Sequence, residues 1–138
     1  MADRALTIVL VDDDEVDVMT VQRAFAKAAI ANPMFVARDG IEALRMLRGD
    51  AVPAAHRLVL LDLNMPRMNG IEFLREVRRD PVLQALTVVV LTTSNEDRDR
   101  VTAHQLGVAG YLVKPLTFLG FAEVMATLRK SWTVMEPA

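Results

Sequence analysis

Three stretches of this chain are apolar at nearly every position: LTIVLV at 6–11, RLVLL at 57–61 and TVVVL at 87–91. A strand open to water on one face alternates apolar and polar residues; an unbroken β-branched run marks a strand covered on both faces. Such strands belong to parallel sheets, whose crossover helices supply the two covering layers. Two shorter runs, MFVA at 34–37 and GYLV at 110–113, complete a set of five. Helix-length segments follow each run, at 15–29, 40–48, 71–79, 96–106 and 117–132. In the third, Ile71, Leu74 and Val77 recur three apart along one side. Asp80-Pro81 then stops it, because proline disfavours helix in the residue before it. The alternation predicts an α/β fold, a (βα)5 doubly wound sheet of five parallel strands. A closed eightfold barrel takes about 250 residues, and this chain has 138.

In open sheets of this kind, function gathers at the carboxyl ends of the strands. The first strand runs into Asp12, Asp13, Asp14 and Glu15. Asp14 and Glu15 suit a helix N-terminus, with Asp14 as its cap. Asp12 and Asp13 come too early for that role. Asp62 follows the third strand directly, and it sits beside Asp12 and Asp13 if strands one and three are neighbours, the adjacency that the order 2-1-3-4-5 gives. These three acids are either dispersed at loop mouths or gathered around a cation, since close carboxylates repel one another. Oxygen ligands without His or Cys suit a hard ion such as Mg²⁺. Thr92 leaves the fourth strand, and Ser94 or Asn95 is expected to cap the helix that follows. Lys114 ends the fifth strand, where an ammonium gains from the three carboxylates. Pro115 can fix its direction, which makes Lys114-Pro115 a candidate cis bond.

Composition closes off other classes. Lys and Arg total 16 against 18 Asp and Glu, a net charge of −2, so nothing recommends nucleic acid as a partner. The absence of cysteine excludes disulfides, thiolate metal sites and cysteine nucleophiles. The longest unbroken apolar runs have four residues, whereas a membrane span needs about 20. The N-terminal apolar stretch runs straight into acids with no cleavage site, so it is no signal peptide. The expectation is a cytoplasmic, single-domain chain over 1–138, with a loose tail at about 133–138.

Together these residues resemble the receiver domains of two-component response regulators, which are flavodoxin-like in fold. The likeness rests on the acidic pair Asp12-Asp13, LLDLNMPRMNG around Asp62, TTS from Thr92, and GYLVKP ending at Lys114-Pro115. It implies that Asp62 is the phosphoacceptor and that Thr92 and Lys114 bind the phosphoryl oxygens. It implies Mg²⁺, with Mn²⁺ as a substitute, held by Asp13, Asp62 and the backbone carbonyl of Asn64, with Asp12 acting through water or as a further ligand. It implies a switch in which Thr92 moves toward the phosphoryl group and Tyr111 turns inward, altering the face of the fourth helix, fifth strand and fifth helix. Self-phosphorylation from small phosphodonors and slow self-dephosphorylation are expected with that role. The chain length leaves no room for an output domain, so a protein contact or onward phosphotransfer is the expected output. DEVDVMTVQRAF, VARDGIEAL and RRDPVLQALTVVVLTTS resemble single-domain regulators paired with phytochrome-type histidine kinases, which makes a bacteriophytochrome the expected kinase. Asp17 departs from the apolar residue common at that position in chemotaxis-type receivers.

The final segment carries Phe118, Phe121, Met125, Leu128 and Trp132 at alternating intervals of three and four. Leu119, Ala122, Val124 and Ala126 give it a second apolar side. A homodimer is expected through the fourth helix, fifth strand and fifth helix, with Phe118, Leu119, Val124 and Trp132 as face candidates. Asp97, Arg98, Asp99 and Arg100 either pair across that axis or form a solvated face. His56 and His104 are expected to be exposed and away from the site. A phosphohydrolase with an aspartyl nucleophile is the main rival, yet Asn64 stands where such an enzyme needs a second, proton-donating carboxylate. A flavin carrier is the other, and Asp12 to Glu15 would repel its phosphate.

Overall fold

A computed structural model describes residues 6–50, 52–53 and 56–114. Five strands, β1 (Thr7–Val11), β2 (Met34–Ala37), β3 (Arg57–Leu61), β4 (Thr87–Thr92) and β5 (Gly110–Val113), form one sheet. All pairs are parallel and the order is β2-β1-β3-β4-β5, as the sequence predicts. Four helices alternate with them: α1 (Glu15–Lys27), α2 (Gly40–Arg48), α3 (Gly70–Arg79) and α4 (Asp97–Gln105). The expected fifth helix at 117–132 lies outside the described residues, as do Pro115, the dimer-face candidates Phe118, Leu119, Val124 and Trp132, and the tail. No helix among the described residues is long and apolar enough to cross a membrane.

The unbroken apolar runs do what their composition requires. Every residue of β1 and β3 is buried, and so is β4 after Thr87. Alternate residues feed two separate cores. Val9, Val11, Val59, Leu61, Val88 and Val90 pack on one side with Leu44, Phe73 and Leu74. Ile8, Leu10, Leu58, Leu60, Val89 and Leu91 pack on the other with Val21 and Phe25. The edge strand β5 is only half-buried along its length.

Helix starts follow local chemistry. Asp14 caps α1 as expected, accepting from the N–H groups of Val16 and Asp17. Asn69 and Glu72 form a reciprocal capping box, so α3 begins one residue before the predicted 71. Its buried face includes Phe73 as well as Leu74 and Val77, while Ile71 is only partly buried. At α4 the expected cap fails: Glu96 is the N-cap, without a side-chain hydrogen bond. Ser94 Oγ instead donates to Asp99 at 2.5 Å and accepts distantly from the Glu96 N–H at 3.4 Å. Asn95 accepts from Arg100. The short loop delivers both side chains beside the first turn rather than onto its free N–H groups. His104 is exposed, whereas His56 is half-buried ahead of β3.

Candidate phosphoryl-transfer site

Parallel pairing carries one residue past each strand end and so assembles the site. The Asp12 N–H donates to the Ala37 carbonyl at 2.9 Å, and the Asp62 N–H to the Val11 carbonyl at 2.9 Å. The Lys114 N–H donates to the Thr92 carbonyl at 2.8 Å. Asp12 and Asp62 therefore leave neighbouring strands side by side, with Thr92 and Lys114 ranged next to them. Asp12, Asp62 and Thr92 are buried and Asp13 is exposed. One carboxylate oxygen from each of Asp12, Asp13 and Asp62 lies within 4.8 Å of the others, so the gathered alternative holds over the dispersed one.

Each oxygen of the two buried acids has its own environment. Asp12 Oδ1 accepts from the Asp14 N–H at 3.0 Å, and Oδ2 from Lys114 Nζ at 2.7 Å. Asp62 Oδ1 accepts from Thr92 Oγ1 at 2.9 Å and from the Asn64 N–H at 3.2 Å. Asp62 Oδ2 lies 3.5 Å from Lys114 Nζ, an ion pair without a close hydrogen bond. Burial pushes the Asp12 carboxyl up, and the bonds from Lys114 and Asp14 only partly offset it. Burial acts to lower the Lys114 ammonium, but the carboxylates of Asp12, Asp17 and Asp62 outweigh it and raise its pKa. Lys114 thus stays charged although its side chain is nearly enclosed.

Asp17 is the residue that sequence reasoning left without a role. Its Oδ2 accepts from Lys114 Nζ at 2.8 Å, nearly as close as Asp12 at 2.7 Å. The available signal was its place in the first turn of α1, which starts at the rim of the site.

Two loops hold this arrangement. A Cβ on Gly70 would stand 2.5 Å from the Asp62 carbonyl oxygen and 2.7 Å from Leu63 Cα, so only glycine lets α3 begin this close behind Asp62. After β4, the Ser94 N–H donates to Thr92 Oγ1 at 3.3 Å, and the Ser94 carbonyl accepts from the Tyr111 hydroxyl at 2.9 Å. A continuous line of hydrogen bonds therefore runs from Asp62 through Thr92 and Ser94 to Tyr111. Arg100 lies over the Tyr111 ring, 4.6 Å from its centroid. Three of the four alternating charges of α4 have partners within the chain: Arg98 pairs with Glu96, Asp99 with Ser94 and Arg100 with Asn95 and Tyr111.

Residues 8–126 match the response regulator receiver domain family. The probable methanogenesis regulatory protein FilR2 of Methanothrix harundinacea is 36% identical over 136 residues, covering 95% of this chain and 86% of that protein. Response regulator Rcp1 of Synechocystis is 33% identical over 136 residues, covering 95% of this chain and 92% of Rcp1. Among solved structures, the bacteriophytochrome response regulator AtBRR aligns with a TM-score of 0.81 and 34% identity, covering 99% of this chain and 100% of that one. The Mn²⁺-bound form of response regulator Rcp1 aligns with a TM-score of 0.72 and 32% identity, covering 97% of this chain and 99% of that one.

Proposed function

The chain belongs to the response regulator receiver domain family, and on that premise we propose that it is a cytoplasmic switch phosphorylated on Asp62 by a sensor histidine kinase. The observation that carries this reading is the setting of Asp62: a buried carboxylate with Thr92 on one oxygen and Lys114 beside the other. The likeness to AtBRR supports a kinase of phytochrome type.

In the reaction, an Asp62 carboxylate oxygen attacks the phosphorus of a phosphohistidine. An O–P bond forms and the N–P bond breaks, its electron pair remaining on an imidazole that leaves neutral when its other nitrogen is protonated. Asp62 Oδ2 is the attacking atom, since Oδ1 already accepts two hydrogen bonds. Lys114 and the Thr92 hydroxyl then bond phosphoryl oxygens, and Lys114 needs to move little to do so. The carboxylates of Asp12, Asp13 and Asp62 offer a compact all-oxygen donor set that suits a hard divalent cation. These residues, with the Asn64 carbonyl, would hold Mg²⁺; Mn²⁺ serves as a substitute, in keeping with the Mn²⁺-bound Rcp1. Bound there, the ion supplies the positive charge that lets one anion approach another.

The switch uses the hydrogen bonds that join Asp62 to Tyr111. When Thr92 turns from Asp62 to a phosphoryl oxygen, Ser94 follows and Tyr111 loses its carbonyl acceptor. Tyr111 then repacks inward, and the face of α4, β5 and the segment after it changes for a partner, a second copy of this chain or onward transfer. The test is phosphotransfer from a radiolabelled phytochrome-type kinase in the presence of Mg²⁺. Label should pass to the wild-type protein and not to Asp62→Asn; transfer to the variant, or to neither, contradicts the reading.

A further inference from the structure

An ammonium carries three hydrogens, and Lys114 commits two of them to Asp12 and Asp17, at 2.7 and 2.8 Å. Asp62 receives the weakest share, at 3.5 Å. The two anchors differ in surroundings: the Asp12 side chain is 1% exposed, whereas that of Asp17 is 33% exposed. Asp12 is sealed in and belongs to the cation-binding set, so it has no means of releasing the lysine into water. Asp17 stands at the rim on α1, where water can replace the lysine as its partner.

We infer that Asp17 is a positioning residue that draws Lys114 away from the phosphoacceptor, so that phosphoryl uptake is slowed by the share of the ammonium that Asp17 holds. The inference rests on the reading of Asp62 as the acceptor and adds a control to it. Asp17 slows uptake in two ways. It shares the charge that the incoming phosphoryl group needs, and its own negative charge repels an anionic donor. Neither effect requires Asp17 to touch the reacting atoms.

The experiment measures the initial rate of phosphoryl adduct formation with acetyl phosphate and Mg²⁺ by intact mass, for the wild type, Asp17→Asn and Asp17→Glu. Asn keeps an oxygen acceptor and the shape, so the helix start is preserved while the charge is removed. Its rate should rise by about threefold to tenfold, the range for deleting one unit charge at a partly hydrated rim. Asp17→Glu, which restores the charge, should stay near the wild-type rate. General damage to the fold would slow uptake, so a gain distinguishes positioning from structure. A second readout needs neither metal nor donor: exchange of the Lys114 ammonium hydrogens with water, followed by ¹⁵N-resolved NMR. It should quicken in Asp17→Ala and Asp17→Asn and stay slow in Asp17→Glu. Equal or slower uptake in Asp17→Asn, or unchanged ammonium exchange in Asp17→Ala, overturns the inference alone. Failure of the wild type to form any adduct overturns the acceptor reading and the inference with it.

Discussion

Thr92 is wholly enclosed, and its hydroxyl gives its one proton to Asp62 Oδ1 at 2.9 Å. The bond ties the last residue of β4 to the first residue after β3.

Replacing Thr92 with Val keeps the shape and deletes that donor. Hydrogen bonds to charged groups contribute about 1.5–3 kcal/mol, so the metal-free Thr92→Val protein should lose roughly that much in urea denaturation. Thr92→Ser keeps the hydroxyl and should lose only the share due to one buried methyl, about 1 kcal/mol. Equal losses in the two variants would mean that packing, not the hydrogen bond, holds this corner.

Lys114→Met leaves Asp12 buried beside Asp62 with no cation. Removing one partner of a buried pair costs about 3–5 kcal/mol, and the lysine side chain is only 8% exposed, so the metal-free variant should melt well below the wild type. Its raised pKa fixes the sign with pH. A lysine raised in the folded state contributes fully below the ordinary lysine range and loses that contribution only as pH climbs through the folded value. The gap between variant and wild type should therefore be constant across neutral and mildly alkaline pH.

Asp39 gives the opposite sign. Burial acts to raise its carboxyl, but the Glu42 N–H and the Arg67 guanidinium outweigh it and hold the pKa below the usual carboxylate range. Such a group stabilises the fold above its unfolded pKa, and that contribution is lost as pH falls through the folded value. Asp39→Asn keeps the cap on α2 and discards the charge. The exposed Arg67 partner limits the neutral-pH loss to about 0.5–1 kcal/mol. Thermal melts should show the two proteins converging as pH falls below the ordinary carboxylate range.

Asp13 is the exposed member of the acidic trio, so its neutral replacement should cost the metal-free protein nothing and relieve repulsion from Asp12 and Asp62. The difference should emerge on adding Mg²⁺. Ligand at about 100 times its Kd stabilises the wild type by roughly 2.7 kcal/mol, and Asp13→Asn should gain far less at the same concentration. An identical Mg²⁺-induced shift in both proteins would remove Asp13 from the cation set.

The strands were legible because nearly continuous apolar runs such as LTIVLV and TVVVL admit one environment, a sheet covered on both sides. Asp12, Asp62, Thr92 and Lys114 were legible for a related reason: each is the first polar residue at its strand's carboxyl end, and parallel register carries those ends together. What sequence could not show depends on where side chains reach. Asp17 reads as an ordinary first-turn acid, and only the fold brings it to Lys114. Arg78 reads as a solvated helix residue, yet it donates to the carbonyls of Gln84, Leu86, Leu106 and Gly107, binding α3 to the loops before β4 and β5. Phe73 escaped a reading based on residues three apart, because the buried face of α3 is wider than one such row. The Ser94 or Asn95 cap failed because both residues have closer partners in Asp99 and Arg100.

The central claim is that Asp62 takes up a phosphoryl group in a cation-dependent step. Intact mass spectrometry after incubation with acetyl phosphate tests it most directly, with Mg²⁺ or with EDTA, on the wild type and Asp62→Asn. One phosphoryl adduct on the wild type with Mg²⁺, lost in EDTA and absent from Asp62→Asn, is the predicted result. An adduct that persists on Asp62→Asn, or a wild type that stays unmodified with Mg²⁺ present, contradicts the account.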